Sequence, residues 1–172
     1  GLTGLLNHVT IKDRLASEVS RAQRWGVPLC FAMLDIDNFK HVNDTYGHPV
    51  GDRVIKSVAR ILSRRLRKSD LIGRYGGEEF AVVLPETELA AAGKVLDEVR
   101  ENFSRIVQQT DGIQFTSTIS IGVAQLLASD STDGLINAAD EALYEAKNTG
   151  KNRVCTQLPN KSRNRLTGTT SR

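Results

Sequence analysis

The chain has 172 residues, of which 40% are hydrophobic and 25% are charged, which is enough for one domain with a substantial core. It holds no apolar run near the roughly 18–20 residues of a membrane span, and its first residues lack the basic head and apolar segment of a signal peptide. The net charge is +3, but the last sixteen residues contribute +4, which leaves −1 for the remainder. We therefore expect a cytoplasmic domain that binds neither nucleic acid nor a membrane directly, although an upstream segment could tether it to one.

The C-terminal residues and the two cysteines carry no sign of a functional site. Residues 157–172 are rich in Ser, Thr, Asn and basic side chains, a composition typical of disordered termini, so residues 1–156 are predicted to be the folded domain. Cys30 and Cys155 lie far apart in apolar, strand-like runs and have no metal-type spacing. We interpret both as reduced core residues.

The first third of the chain predicts a helix, a buried strand and a loop. Apolar residues at helical spacing indicate a helix over residues 10–24, with Thr10 as a candidate N-cap. Residues 29–34 form a continuous apolar run, typical of a strand covered on both faces, which ends in Asp35-Ile36-Asp37. A short helical turn over residues 39–42 follows, and the turn-forming residues 43–49 are predicted to be a loop.

The rest of the chain alternates between helices and strands. A second long helix is predicted over residues 50–66, a hairpin is centred on Gly76-Gly77, and a third helix covers residues 88 to about 107. Alternation predicts a strand over residues 113–123, followed by a helix at 132–147 and a closing strand at 152–156. This order favours an α+β fold in which helices pack on a mixed sheet. The sequence has neither a G-x-G-x-x-G run after the first strand nor a P-loop, which argues against a doubly wound nucleotide-binding fold.

The hairpin Arg74-Tyr75-Gly76-Gly77-Glu78-Glu79-Phe80 is the most informative segment. Gly-Gly supplies the positive φ of a tight primed turn, so Gly76 and Gly77 are predicted to form the tip. Successive strand residues point to opposite faces, so Glu78 and Glu79 are expected to have different roles. Two carboxylates at a hairpin tip are suited to holding a metal ion or a phosphate-bearing substrate.

A second pair of acids ends the first strand. Asp35 and Asp37 lie two residues apart and therefore share a face. Together with one glutamate of the hairpin they would form a Mg²⁺ site, since Mg²⁺ favours one or two carboxylates with waters and substrate phosphates. The alternative is a pair of solvated acids that simply end a strand.

Five polar residues could contact a nucleotide, and each has a purely structural alternative. Lys40 follows the acids at a helix start, where it could hold phosphates with the backbone amides, or it is an ordinary exposed lysine. Asn43 and Asp52 could read the edge of a base, or they serve in a turn and as a helix cap. Lys147 and Lys151 could reach phosphates, or they complement the C-terminus of the last helix.

Taken together, these segments resemble the GGDEF family, the bacterial diguanylate cyclases, over residues 1–154. The motifs occur in the family's order: Leu2-Thr3-Gly4-Leu5-x-Asn7, Asp35-Ile36-Asp37-Asn38-Phe39-Lys40, Asn43-Asp44-Thr45-Tyr46-Gly47-His48, Gly51-Asp52, the hairpin motif, Ser120-Ile121-Gly122-Val123 and Ala139-Asp140-x-Ala142-Leu143-Tyr144-x-Ala146-Lys147. Each motif is weak alone, whereas the full set at these spacings is very specific.

The resemblance implies a fold like the palm of nucleotidyl cyclases and polymerases, a ferredoxin-like central mixed sheet wrapped by helices. It also implies the condensation of two GTP into cyclic di-GMP with release of two pyrophosphates. One GTP would bind to each protomer of an antiparallel homodimer, and the 3′-hydroxyl of one would attack the α-phosphate of the other. Such domains are usually attached to sensory or coiled-coil modules that set how two domains pair, so we expect an upstream module here.

Carried over by position, the resemblance assigns a role to each residue of the motifs. Asp35, Glu78 and the Ile36 carbonyl would hold Mg²⁺, with Mn²⁺ as an alternative ion, and Glu79 would be the base or charge stabiliser for the 3′-hydroxyl. Asn43 and Asp52 would recognise guanine, and Gly76 and Gly77 would leave room for the base and sugar. The phosphates would be held by the amides of Asn38 and Phe39 and by the side chains of Lys40, Lys147 and Lys151. The implied catalytic set is Glu79, Glu78, Asp35 and Lys40.

A further motif, Arg67-Lys68-Ser69-Asp70, resembles the family's R-x-x-D inhibitory site. Arg67 would pair with the guanine and phosphate of bound product, and Asp70 with a guanine edge. The alternative is that Arg67 ends a basic helix and Asp70 opens a turn. Glu98 is placed where some members use Arg to help this site.

Three positions depart from the family's pattern. Arg is common where His8 and Lys151 stand, and Lys151 keeps the charge but loses the bidentate fork. The family usually has Asp just before the Leu-Thr-Gly run, whereas this sequence starts at Gly1. Two other functions stay open: a domain that binds GTP or cyclic di-GMP without turnover, and an enzyme that makes a hybrid adenine–guanine dinucleotide, which Asp52 disfavours.

Overall fold

The computed structural model describes residues 1–157, so the predicted disordered tail lies outside the described residues except for its first residue. This part of the chain forms five helices and seven strands, in the order α1 (His8–Trp25), β1 (Leu29–Ile36), α2 (Phe39–Tyr46), α3 (His48–Arg65), β2 (Leu71–Arg74), β3 (Glu79–Pro85), α4 (Leu89–Ser104), β4 (Gln108–Thr110), β5 (Ile113–Phe115), β6 (Ile119–Gln125), α5 (Thr132–Asn148) and β7 (Val154–Thr156). Among the helices of residues 1–157, none combines the length and the apolar character needed to cross a membrane.

The central sheet has five strands in the order β2-β3-β1-β6-β7. β1 lies in the middle and pairs antiparallel with β3 and β6, whereas β7 adds to β6 in parallel. β1 is a continuous apolar run because helices cover it on both faces, and its first six residues are all buried. The mixed sheet wrapped by helices confirms the predicted fold class.

Alternate residues of β1 enter two separate cores. Ala32 and Leu34 pack with α2, α3 and α4 on one face of the sheet. Phe31 and Met33 pack with α1 and α5 on the other face. By the same alternation Asp35, the next residue in the second series, points to the α1 and α5 side, where β1 reaches the end of the covered region.

Helix α5 packs directly against β6 at Gly122. A Cβ on this residue would lie 2.1 Å from the backbone nitrogen of Leu143 and 2.3 Å from the carbonyl oxygen of Ala139. The missing side chain allows the helix backbone to approach the sheet, which explains a glycine in the middle of a buried strand. This contact sets how far α5 stands from the sheet.

The loop predicted over residues 43–49 is wrong, because most of it is helical. α2 extends to Tyr46 and α3 begins at His48, so that only Gly47, with a φ of 93°, separates them. The turn-forming residues of α2 are accommodated because Phe39 and Val42 bury its inner face. Tertiary packing thus outweighs the local preference of Asn, Asp and Thr for turns.

The single strand predicted over residues 113–123 is also wrong. β5 pairs with β4 in a separate two-stranded sheet, and β6 begins only at Ile119. Asp111 and Gly112, both with positive φ, make the turn between β4 and β5. Helix α4 ends at Ser104 rather than near residue 107.

The N-terminal segment covers the outer edge of β2. Leu6 forms a parallel bridge with Gly73: its N–H donates to the Ile72 carbonyl at 3.2 Å, and its own carbonyl accepts from the Arg74 N–H at 2.9 Å. α1 then begins two residues earlier than predicted, because the N-cap is Asn7, whose side chain accepts a hydrogen bond from the backbone N–H of the residue predicted to be the cap.

Replacing Gly122 by Ala is expected to destabilise the domain by about 1–3 kcal/mol or more, because α5 must move to admit the new Cβ. The matched control is Gly93→Ala in α4, where the new Cβ would meet only the Thr156 methyl at 3.6 Å. Alanine favours a helix over glycine, so the control should be neutral or stabilised by up to about 1 kcal/mol. Urea unfolding of both variants measures the difference, and equal stabilities would contradict the close approach.

Cys30 should resist thiol reagents while the domain is folded. Burial, and to a smaller degree the charge of Glu88, raises the pKa of its thiol to about 12, and the thiolate is the reactive form. Cys155 is half-buried and therefore does not belong to the core as predicted. In a Cys155→Ser variant at pH 8, labelling should occur only when urea unfolds the protein; rapid labelling without denaturant would show that Cys30 is accessible.

Candidate active site

The end of β1 brings the acids of two motifs together. In the pairing of β1 with β3, Asp35 lies opposite Glu79. One residue further, the N–H of Ile36 donates to the Glu78 carbonyl at 3.2 Å. The hairpin therefore lies directly beside the first strand, which is the condition under which the sequence predicted a shared site for Asp35, Glu78 and Glu79.

The hairpin turn differs from the predicted primed turn. Within residues 1–157, neither Gly76 nor Gly77 is among the residues with positive φ. The turn closes because the N–H groups of Tyr75 and Gly76 both donate to the Glu79 carbonyl, at 2.8 and 3.2 Å. Gly76 leaves room for the Glu79 side chain: a Cβ there would lie 2.7 Å from Oε2 of Glu79, so the carboxylate would have to shift.

The second glycine of the hairpin is held through its backbone. The Gly77 carbonyl accepts hydrogen bonds from the guanidinium of Arg74, with 2.8 Å to Nη2 and 3.2 Å to Nε. A Cβ on Gly77 would meet no other described atom within 4 Å. The space beside this residue is therefore open, which fits the predicted room for a ligand.

The carboxylates at this end of the sheet repel one another. Partial burial is the main cause that raises the pKa of Glu79, and the negative charges of Asp35, Glu78 and Asp140 raise it further. The positive charge of Lys147 acts in the opposite direction without cancelling them. The site therefore has an excess of negative charge around Glu79.

Lys147 joins the two aspartates of β1. Its Nζ donates to Asp35 at 2.7 Å and to Asp37 at 2.8 Å, which confirms that these acids share a face. Burial of the ammonium would lower its pKa, but the hydrogen bonds and charges of the two acids raise it above the ordinary value for lysine. The alternative in which Lys147 only complements a helix terminus is therefore wrong.

Asp37 is buried and is held by several donors. Its oxygens accept from the hydroxyls of Thr118 and Ser120, both at 2.7 Å, and from the Asn152 N–H at 3.0 Å, in addition to Lys147. Burial alone would raise its pKa, but these hydrogen bonds outweigh it and hold the pKa below the usual range. Asp37 is thus no solvated end of a strand.

The sequence missed Thr118, Ser120 and Asn152 as supports of the site. Ser120 belongs to a quoted motif, so the signal was present. Its direction depends on the pairing of β6 with β1, in which Ser120 lies opposite Asp35, and this register could not be read from one strand alone.

The N-terminus of α2 lies beside these acids. Its N-cap, Asn38, adopts a left-handed conformation with a φ of 54° and accepts a hydrogen bond from Nζ of Lys151 at 2.8 Å. Phe39 is buried and anchors the helix, while Lys40 is exposed. The structure therefore brings Asn38, Phe39, Lys40, Lys147 and Lys151 to the same end of the sheet.

Asn43 and Asp52 lie where α2 crosses α3. A Cβ on Gly51 would be only 1.9 Å from Oδ1 of Asn43, so the glycine allows the two helices to touch. That oxygen is buried and accepts no hydrogen bond within residues 1–157, a costly state unless a donor is supplied. Both residues lie inside helices, so the turn and capping alternatives are wrong.

The donor set for a metal ion is small. In the described part of the chain, no cluster of three or more His, Cys, Asp and Glu side chains is arranged to hold a metal. Two carboxylates and a backbone carbonyl nevertheless fit Mg²⁺, which keeps several waters and binds substrate phosphates. The excess negative charge around Glu79 is the observation in this structure that favours a divalent cation here.

Arg67 and Asp70 lie in a separate groove of about 450 Å³, which Leu84, Thr87 and Val95 also line. Nη2 of Arg67 donates to Asp70 at 3.2 Å, to the Pro85 carbonyl at 3.0 Å and to the Thr87 hydroxyl at 2.7 Å. The Asp70 side chain is 2% exposed and also accepts from the Arg67 N–H at 2.8 Å. Glu98, predicted to stand near this site, pairs with Arg65 at the rim.

The chain resembles known proteins in sequence and in structure. The sequence profile described as "Diguanylate cyclase, GGDEF domain" matches residues 1–153. Diguanylate cyclase DgcP of Pseudomonas aeruginosa is 40% identical over 153 residues, which cover 89% of this chain and 23% of that protein. The response regulator PleD of Caulobacter vibrioides is 40% identical over 163 residues, which cover 89% of this chain and 34% of PleD.

A solved structure agrees with the sequence comparisons. The crystal structure of the GGDEF domain of DgcB from Caulobacter crescentus, in complex with c-di-GMP, matches with a TM-score of 0.89 and 36% identity, covering 91% of this chain and 94% of that one. The chain spans 23% and 34% of the length of the two curated relatives, whereas it spans nearly all of the isolated domain. In sequence and in fold, the chain belongs to the diguanylate cyclase GGDEF domain family.

Proposed function

We propose that the chain is the catalytic domain of a diguanylate cyclase, which condenses two GTP into cyclic di-GMP and two pyrophosphates. The observation that carries the proposal is the meeting of Asp35, Glu78 and Glu79 at the end of β1, beside Lys147 and the N-terminus of α2. Carboxylates supply the field that attracts a divalent cation, and a lysine and a helix N-terminus supply positive charge for phosphates. Membership of the family supports the same activity.

The acids would divide the chemistry between them. Asp35, Glu78 and the Ile36 carbonyl would hold Mg²⁺ or Mn²⁺, which would neutralise phosphate charge during the transfer. Glu79 would accept the proton of the 3′-hydroxyl. As the proton leaves, the hydroxyl oxygen would bond to the α-phosphorus of the other GTP, and the bond from that phosphorus to pyrophosphate would break. The leaving pyrophosphate would carry its charge toward Lys40, Lys147 and Lys151.

Substrate recognition would come from α2 and α3. Asn43 and Asp52 would hydrogen-bond guanine, and the buried oxygen of Asn43 that accepts no hydrogen bond within residues 1–157 supports a ligand at this place. The amides of Asn38 and Phe39 would hold phosphates at the start of α2. Gly76 and Gly77 would border the base and sugar, because the space beside Gly77 is open.

Each domain carries one such set of residues, so two domains would have to face each other to bring two GTP together. We therefore propose catalysis by an antiparallel homodimer. We also propose that Arg67 and Asp70 bind the product and restrain the enzyme. None of the residues of the β1 site lines the groove that contains Arg67 and Asp70. The Arg67 guanidinium can pair with a phosphate, and the Asp70 carboxylate can pair with a guanine edge.

Incubation with GTP and Mg²⁺ should yield cyclic di-GMP, with a specific activity that rises with protein concentration because two domains must meet. Glu79→Gln should lower turnover by about 10²-fold or more, the usual contribution of a proton acceptor. It should not lower the melting temperature, since it removes a charge that its neighbours repel. The control Glu101→Gln alters an exposed acid on α4 that pairs with Arg105.

Chromatography of the reaction products and a thermal melt give both readouts for each variant. Tight binding of GTP or cyclic di-GMP with no turnover at any protein concentration would instead select the binding-module function. Turnover that persists in Glu79→Gln would remove this residue from the mechanism while leaving the activity intact.

Arg67→Ala should weaken binding of cyclic di-GMP by about tenfold or more, the cost of losing a hydrogen bond to a charged group. Initial rates of GTP turnover at low product should stay close to the wild-type rate, because the groove contains no residue of the β1 site. Arg64→Ala is the matched control, since Arg64 is an exposed arginine near the end of α3, three residues before Arg67, and does not line the groove. Calorimetric titration with cyclic di-GMP measures the affinity of both variants. Unchanged affinity in Arg67→Ala would refute the product site.

A further inference from the structure

We propose that His8 is a positioning residue for the active-site hairpin. By contacting both the ring and the backbone carbonyl of Tyr75, it fixes the turn that carries Glu78 and Glu79. This inference rests on the proposed cyclase activity. It concerns a residue for which the sequence indicated no ligand spacing.

The contact between His8 and Tyr75 has two parts. The two rings stack with their centroids 3.9 Å apart and their planes at 21°. In addition, Nδ1 of His8 lies 3.0 Å from the Tyr75 carbonyl oxygen. A carbonyl oxygen can only accept a hydrogen bond, so Nδ1 of His8 is the donor in this contact. One side chain thus restrains both the ring and the backbone of Tyr75.

Tyr75 in turn is bonded to the residue that does the proposed chemistry. Its N–H donates to the Glu79 carbonyl at 2.8 Å, and the N–H of Gly76 donates to the same oxygen at 3.2 Å. The Glu79 side chain lies close over Gly76, because a Cβ there would be 2.7 Å from Oε2. A shift of Tyr75 therefore moves both ends of the turn on which the Glu79 carboxylate rests.

His8 is itself held on a rigid base. It is the first residue of α1, directly after the N-cap Asn7. Leu6, one residue earlier, is hydrogen-bonded to β2 on both sides of Gly73. Ile11, in the first turn of α1, packs against Gly73 so closely that a Cβ there would approach it within 2.7 Å. The start of α1 and β2 therefore form one unit, from which His8 reaches the turn.

The position of Tyr75 also matters electrostatically. Burial raises the pKa of its phenol, and the charges of Asp140, Glu79 and Asp133 raise it further. The ring therefore lies between the start of α1, the hairpin and the acids of α5. The stack on His8 keeps the neutral phenol in this crowded, negative region.

Loss of the contact should affect the chemical step more than substrate binding. The residues proposed to bind guanine and phosphates lie at the start of α2 and on it, on α3, on α5 and just after α5. Within residues 1–157, none of them shares a hydrogen bond or a ring contact with His8. A misplacement of a catalytic group by about 1 Å can cost roughly 10²-fold in rate. The expected signature is therefore a lower kcat with little change in KM for GTP.

The test compares three variants of the chain. His8→Ala removes both parts of the contact, and His8→Phe keeps a ring to stack on Tyr75 but removes the donor. Val9→Ala is the matched control, because Val9 is the next residue of α1 and is 68% exposed. For each variant, kcat and KM are measured, together with the hydrogen exchange of the Tyr75 and Gly76 amides, which does not depend on activity.

We expect His8→Ala to lower kcat by about tenfold, within the range for a misplaced group, and to speed exchange of the two amides by a similar factor. His8→Phe should fall between His8→Ala and the wild type, and Val9→Ala should match the wild type. Values of kcat and amide exchange near those of the wild type in both His8 variants would overturn the proposal.

Two further outcomes are also decisive. If His8→Ala does not fold, the comparison of His8→Phe with the wild type decides the matter by the same two measurements. If the wild type has no turnover, the proposed function fails, whereas amide exchange still decides whether His8 positions the hairpin.

Discussion

The buried carboxylate of Asp37 is the interaction on which the arrangement of the site depends. It is 3% exposed, and a charge at such a depth is tolerated only when it is paired and fully hydrogen-bonded. Its donors come from the segment before β6, from β6 itself, from α5 and from the turn after α5. The Asp37 side chain thus contacts residues that lie more than eighty positions further along the sequence.

The same interaction controls the balance of charge at the end of β1. Lys147 is shared between Asp37, which is sealed from water, and Asp35, which is partly open. Asp37 holds the ammonium in place, so the lysine neutralises part of the charge of Asp35 without leaving the protein interior. Glu79 receives only partial relief from Lys147, and its pKa stays raised, chiefly by burial and further by the charges of the neighbouring acids. A nucleotide with its cation would meet a site whose charges are already fixed by buried bonds.

Much of this could be predicted from single residues and their spacing. The continuous apolar run of β1 indicated a central strand, and the acids that follow it indicated a polar site at its end. The prediction of a primed Gly-Gly turn was wrong because neither glycine has a positive φ: the turn is closed by two amides on one carbonyl, and Gly76 leaves space for the Glu79 carboxylate. The contact between Gly76 and the Glu79 side chain depends on the path of the folded hairpin, so it leaves no signature in the local conformational preferences of these residues.

Other differences have the same origin. Residues 43–46 prefer turns in isolation, yet they are helical because the buried face of α2 decides their conformation. The strand predicted over residues 113–123 is divided because residues 113–115 pair with β4 in a separate sheet, whereas β6 begins at Ile119 and pairs with β1. His8 had no pattern that marked it, since its partner is 67 residues away. Register and long-range contacts are the information that periodicity lacks.

The bridge between Leu6 and Gly73 has a consequence for how copies of this domain can associate. A sheet edge with free N–H and C=O groups invites pairing with another sheet, which is a common route to aggregation. Here Leu6 hydrogen-bonds to backbone groups on the outer edge of β2, so these groups are already paired. The opposite edge of the sheet is β7, a strand of only three residues. Continuous extension of the sheet is therefore disfavoured at both ends. Contact between two domains is left to side-chain surfaces, a kind of association that can form and dissociate without unpairing any strand.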